Sequence, residues 1–163
     1  MKRCFVLLLL CAAMPALAFD LNGVGLGASE QDVKKKFPGA HCKPLEWKAD
    51  AADRRCDDVR AAFVGIPSRV TFYLRGDKVQ GFDLRCDIKD LERVKAQLKS
   101  RWGAPLAETV ETISRKEGED RKVLKMRWEK GADHATLVSQ LDKKRVGVEV
   151  ARGAFFDDIY KVK

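Results

Sequence analysis

Apolar side chains return at every second position over two long stretches of this chain, and that alternation constrains its fold more than any other feature. Val70, Phe72 and Leu74 alternate with Thr71, Tyr73 and Arg75, and Phe82 and Leu84 alternate with Asp83 and Arg85. Gly76-Asp77 lies between the two runs and supplies a turn, so they read as a β-hairpin with one apolar side. A third strand is expected around Asp58 to Val64. Downstream, Leu124, Met126 and Trp128 alternate with Lys125, Arg127 and Glu129; Thr136 to Leu141 follows, Asp142-Lys143-Lys144 turns, and Val146, Val148 and Val150 complete the pattern. Shifting the chain by 66 residues lays Gly65 on Gly131, Gly81 on Gly147, Phe82 on Val148 and Leu84 on Val150. The turn residues coincide without a gap, which predicts a duplicated unit.

Elsewhere the period changes to that of a helix. Ser29 is followed three residues later by Asp32, the spacing of an N-terminal capping box, and predicts a short helix that turns Val33 and Phe37 inward and ends at Pro38-Gly39. The glycines Gly23, Gly25 and Gly27 lack the spacing and the preceding strand of a nucleotide loop, and read as a turn or edge strand. Asp87 is placed to cap a longer helix from Ile88 to about Trp102, whose apolar stripe is Ile88, Leu91, Val94, Leu98 and Trp102. Gly103 and Pro105 stop it. The expected fold class is therefore α+β: two tandem helix-plus-three-strand repeats, 22–86 and 87–151, forming an antiparallel sheet with helices packed on one face. A single domain over 19–163 is expected, with a short C-terminal tail.

The segment Gly27-Ala28-Ser29-Glu30-Gln31-Asp32-Val33 opens a short helix ending in Pro-Gly, and a meander of strands follows. This pattern, repeated once, resembles the β-lactamase inhibitory protein fold and, for one copy, the BamE-like outer-membrane assembly lipoproteins. The resemblance implies a secreted, protein-binding module. Three mature cysteines allow one disulfide where those inhibitors carry two, and the lipidated cysteine of the lipoproteins has no counterpart.

Lys2 and Arg3, the apolar run Cys4 to Ala13, and Ala16-Leu17-Ala18 together read as a cleavable signal peptide over 1–18, with cleavage before Phe19. Export to the periplasm is the expected localisation, with membrane contact at most peripheral. Of five cysteines, Cys42, Cys56 and Cys86 then remain, so one thiol is left over. Cys42 with Cys56 brackets a polar loop that has little apolar content to hold itself in place; Cys56 with Cys86 is the competing pair. His41 beside Cys42 lacks any supporting metal-ligand spacing, so neither metal nor cofactor is expected. Loss of Lys2 and Arg3 leaves 30 basic against 24 acidic residues, a net charge of about +6 spread among many acids. That balance, in an exported protein, argues against nucleic acid as a partner.

His41 and His134 are the available near-neutral bases, and neither stands in a catalytic motif. The chain reads as a non-enzyme whose partner is another protein of the cell envelope, with an inhibitor or immunity role suggested by the resemblance. A factor contacting cell wall or anionic lipid through Lys34-Lys35-Lys36 and Lys143-Lys144-Arg145 is the alternative, and an enzyme of unknown type the third. If the apolar set faces the helices, the opposite face presents Tyr73, Arg75, Arg85 and Arg127, and tyrosine and arginine dominate protein-protein contacts. Trp47, in the loop between Cys42 and Cys56, is the further candidate. Phe155 and Phe156 are expected to dock the tail on the globule.

Overall fold

In a computed structural model, residues 19–114, 120–140 and 144–161 are described. The expected signal peptide, the end of the Thr136 to Leu141 strand and the Asp142-Lys143 part of the turn lie outside these residues.

A two-stranded hairpin, β1 (Asp20–Leu21) and β2 (Val24–Gly25), leads into α1 (Glu30–Lys36). Ser29 caps α1 with both halves of the capping box: its side chain accepts from the Asp32 amide and the Asp32 carboxylate accepts from the Ser29 amide. Then come β3 (His41–Pro44), β4 (Arg54–Phe63), β5 (Ile66–Arg75) and β6 (Lys78–Asp87). A 3₁₀ turn (Ile88–Asp90) precedes α2 (Leu91–Trp102). The chain continues through β7 (Ala107–Ile113), β8 (Arg121–Lys130), β9 (Asp133–Gln140) and β10 (Arg145–Arg152), and ends on the one-turn α3 (Phe155–Asp158).

Strands β3 to β10 form one antiparallel sheet in the order β3-β4-β5-β6-β10-β9-β8-β7. The expected α+β class of two helix-plus-three-strand repeats is overturned: the described residues are 53% strand and 19% helix, and α2 is the one helix of substance among them. Two physical reasons explain the correction. Each half of the sheet has four strands, because β3 and β7 pair at the edges without an alternating sequence to announce them. Asp87 caps the 3₁₀ turn by accepting from the Lys89 amide, so the second helix begins later than its apolar stripe suggests.

The main core lies on one face of this sheet. Val33 and Phe37 of α1 meet Phe72, whose ring centroid is 5.0 Å from that of Phe37 and 5.6 Å from that of Phe82. Val94, Leu98 and Trp102 of α2 cover the other half, where Trp102 packs edge-on against Trp128 and Phe19. The Trp128 indole N–H donates to the Gly103 carbonyl at 2.9 Å, so this large ring is buried with its polar edge satisfied.

On the opposite face the tail returns. Gly153, at φ +56°, reverses the chain after β10 and lays α3 across the sheet. Phe155 and Ile159 bury there with Tyr73, Ala52 and Ala151. Gly81 permits this approach, since a Cβ at that position would stand 2.6 Å from the Phe155 ring. Burial therefore stops alternating in β6, where Gly81, Phe82, Asp83 and Leu84 are all buried between two covered faces.

Cys42 and Cys56 stand directly opposite each other on β3 and β4 and form a disulfide; Cys86 is a buried free thiol. Burial pushes the Cys86 thiol up to about 11, with Asp90 and Asp87 adding to it, so it is held as the unreactive protonated form. None of the β3 side chains is fully buried, and the disulfide adds a covalent tie to its four-residue ladder with β4. Cys42→Ser with Cys56→Ser is expected to cost about 3 kcal/mol of stability, read as a lowered urea midpoint. A midpoint equal to that of the unaltered protein would show that β3 is held without the bridge.

Candidate functional site

The strand register fixes what the outer face presents, row by row. One row runs His41, Asp57, Thr71, Asp83, Glu149, Thr136 and Arg127 across β3, β4, β5, β6, β10, β9 and β8. The next runs Arg69, Arg85, Gly147, Val138 and Lys125 across β5, β6, β10, β9 and β8. Arg145, opposite Asp87, stands in the row beyond. The face therefore carries a line of acids beside a line of bases.

Two arginines, Arg69 and Arg85, are direct cross-strand neighbours. Like charges in that position repel. Arg85 leans towards Asp83, with 3.1 Å between Nε and the carboxylate. Among the described residues Arg60, Arg69, Lys144 and Arg145 make no ion pair. These cations border a hollow of about 690 Å³, together with Val59 and Asp87. A register shift between Asp58 and Ala61 puts Val59 and Arg60 on a bulge that projects into it, with the Asp58 carboxylate accepting from the Arg60 amide at 2.9 Å. A second hollow of about 460 Å³ shares Val59, Arg69 and Arg85 and adds Asp57, Thr71, Asp83, Trp47 and Tyr160. The two hollows share these three lining residues and together make up the groove, whose far end is lined by Tyr160 of the tail.

Burial and neighbouring charges act together on the acids of this face. Burial pushes Asp83 up to about 6; Arg85 opposes the rise, and Glu149 and Asp57 add to it. Glu149 is also raised, chiefly by desolvation, against the pull of Arg85 and His134. Asp57 is held by Arg55 at 3.0 Å and by the Thr71 hydroxyl, which donates at 2.9 Å.

An acid raised on folding penalises the folded state above its folded value, and the penalty fades as pH falls through about 6 towards the ordinary aspartate range. Asp83→Asn removes the penalty, so its effect on stability is expected to be more favourable at pH 8 than at pH 4, by about 1–3 kcal/mol. Denaturant titrations of both proteins at the two pH values check this. A difference that does not change with pH would contradict the placement of Asp83.

The residues singled out from sequence are distributed unevenly. Tyr73 is on the outer face but only 4% exposed, because the tail covers it: its ring lies 5.7 Å from Phe155, and its hydroxyl is 3.3 Å from that of Tyr160. Burial raises its phenol well above the ordinary tyrosine value. Trp47 is half-buried, stacks on Tyr160 and donates its indole N–H to the Ile159 carbonyl at 2.7 Å, so it anchors the tail. Arg55 lies over its ring. Arg75 is exposed at the end of β5 and donates to the Asp50 carbonyl. Arg127 is exposed, pairs with Glu129, and is separated from Arg85 by β9 and β10. Of the expected patch, Arg85 alone belongs to the groove's cationic row.

Lys144 and Arg145 belong to the basic run named from the sequence for cell wall or anionic lipid, whereas Arg60 carries no sequence signal and Arg69 only the parity it shares with Thr71 and Tyr73. Its place opposite Arg85 depends on the hairpin register. His41 is exposed at the edge of the acidic row, opposite Asp57. His134 lines a separate hollow of about 520 Å³ with Asp133, Glu129 and Asp157. Two of those carboxylates are engaged, Asp133 by Arg152 and Glu129 by Arg127. Glu30 lies within 4.8 Å of the Cys42 and Cys56 sulfurs, but both sulfurs are spent in the disulfide.

No helix among the described residues is long and apolar enough to cross a membrane. Comparison with protein-family models, with curated proteins and with solved structures finds no match for the chain.

Proposed function

We propose that the chain is a non-enzymatic binding module, exported to the periplasm, that recognises an acidic segment of another cell-envelope protein in the groove on the outer face of its sheet. The observation that carries this reading is the opposed pair Arg69 and Arg85, flanked by Arg60, Lys144 and Arg145 with no ion pair among the described residues. Guanidinium groups bind carboxylates through planar, two-point hydrogen bonds, which suits an acidic peptide better than a diffuse charged surface. The groove also offers aromatic edges at Trp47 and Tyr160. A Cys42–Cys56 disulfide is at home in an oxidising compartment. An inhibitor, which blocks an enzyme by occupying it, is the form of this reading that the sequence resemblance suggests.

Contact with anionic lipid is less well supported. Of the two basic runs, Lys144 and Arg145 line the groove itself, but Lys34, Lys35 and Lys36 belong to α1, which packs on the other face of the sheet, and Lys34 is paired with Glu30 at 2.6 Å. Calorimetric titration with a Glu/Asp-rich peptide, its Gln/Asn counterpart and vesicles rich in anionic lipid separates the readings. Binding of the acidic peptide alone, weakened by salt, is expected. Stronger binding to the vesicles, or equal binding of the two peptides, would overturn the proposal.

A further inference from the structure

The two edges of the main sheet are treated very differently. At one edge β3 is four residues long, contains Pro44 and is bridged to β4 by the disulfide. Short length and proline blunt an edge against further pairing. At the other edge β7 is seven residues long, pairs among the described residues only with β8, and is exposed along its whole length on both faces. Val110 is 62% exposed and Ile113 47%. Its two acids are already neutralised within the chain: Glu108 by Lys95 and Lys99, and Glu111 by Lys125.

We propose that β7 is the self-association edge of the protein and that its occupant is β7 of a second copy, paired antiparallel about a two-fold axis at Val110. The sequence Ala107-Glu108-Thr109-Val110-Glu111-Thr112-Ile113 is complementary to itself in that register. Val110 meets the second Val110, each Glu108 faces a Thr112, each Glu111 faces a Thr109, and each Ile113 faces an Ala107. All seven residues pair and no two acids stand opposite. Sliding the two-fold axis to Glu111 sets that acid against itself, and sliding it to Thr109 draws Pro105 into the ladder, where it has no N–H to give. The two-fold axis is normal to the sheet, so both Arg69–Arg85 grooves face the same side of one continuous sheet. The dimer does not depend on what the grooves bind.

Sedimentation velocity of the oxidised protein, from micromolar to near-millimolar concentration, is expected to show a monomer–dimer equilibrium. Val110→Lys places two ammonium groups opposite each other and is expected to raise the dissociation constant about tenfold or more. Val64→Lys, an exposed substitution in the turn between β4 and β5, should leave it unchanged. Val110→Cys should give a reducible covalent dimer under oxidising conditions. A monomer at all concentrations, or a dimer indifferent to Val110→Lys that Val110→Cys does not lock, would overturn the proposal; neither result bears on binding in the groove.

Discussion

Arg69→Glu combined with Arg145→Glu is expected to weaken binding of an acidic segment by about a hundredfold or more and to leave the unfolding midpoint almost unchanged. Each charge-assisted hydrogen bond to a carboxylate is worth about 1.5–3 kcal/mol, so losing one at each of two positions gives the hundredfold, and reversal adds repulsion. Neither arginine holds a partner that the change would strand: both are exposed and make no ion pair among the described residues. Arg85 is a poorer choice, because Asp83 would lose its cation in a buried setting. The conservative pair Arg69→Lys with Arg145→Lys keeps the charge but loses the planar fork, and should fall between the two. Equal affinity for the wild type and the reversed variant would remove the groove from the account.

Phe82→Ala is expected to cost about 3–5 kcal/mol, a large fraction of the stability of a domain this size. Phe82 is fully buried, contacts the Phe72 ring, and sits on β6, the strand that joins the two halves of the sheet by pairing with both β5 and β10. The cavity left would be bordered by the Phe72 ring in the main core cluster. Val59→Ala, at a position 63% exposed, should change stability by no more than about 0.5 kcal/mol. Urea titrations of both variants check the contrast. A loss below about 1 kcal/mol for Phe82→Ala would mean that the core is not shared between the halves.

The inner face of the sheet was legible in the sequence where its inner strands alternate. Phe72, Leu74, Phe82, Leu84, Leu124, Met126 and Trp128 were all expected to turn inward, and all are buried. Ser29 announced α1 through its capping box, and the polar loop between Cys42 and Cys56 pointed to their disulfide. The edges were not legible. β7 reads Ala-Glu-Thr-Val-Glu-Thr-Ile, with no one-sided alternation, because it is exposed on both faces and no core selects its side chains. β3 has only four residues and is held by a covalent bond in place of an apolar pattern. Without those strands the meanders appeared to have three strands each, and the helices took too much weight in the fold class.

The outer face was half legible. Parity told which residues point outward; it did not tell where the tail lands. Phe155 and Phe156 signalled docking, but their landing place over Tyr73 comes from Gly81, whose missing side chain admits the Phe155 ring. A glycine within an alternating strand is the one local sign of that close approach. The juxtaposition of Arg69 with Arg85 arises from pairing across the Gly76-Asp77 turn with an irregularity between Tyr73 and Leu74, which spacing alone does not fix. Asp83 reads as an ordinary outward-facing acid; its burial and its place opposite Glu149 come from the strand pairing and not from the spacing.

Backbone amide shifts recorded while a Glu/Asp-rich peptide is titrated into the isotope-labelled protein test the groove most directly. Saturable changes are expected to cluster around Arg69 on β5, Arg85 on β6 and Arg145 on β10, with the Gln/Asn counterpart leaving them in place. Changes confined to α1, α2 or the opposite face of the sheet, or the same changes with the uncharged peptide, would contradict the account.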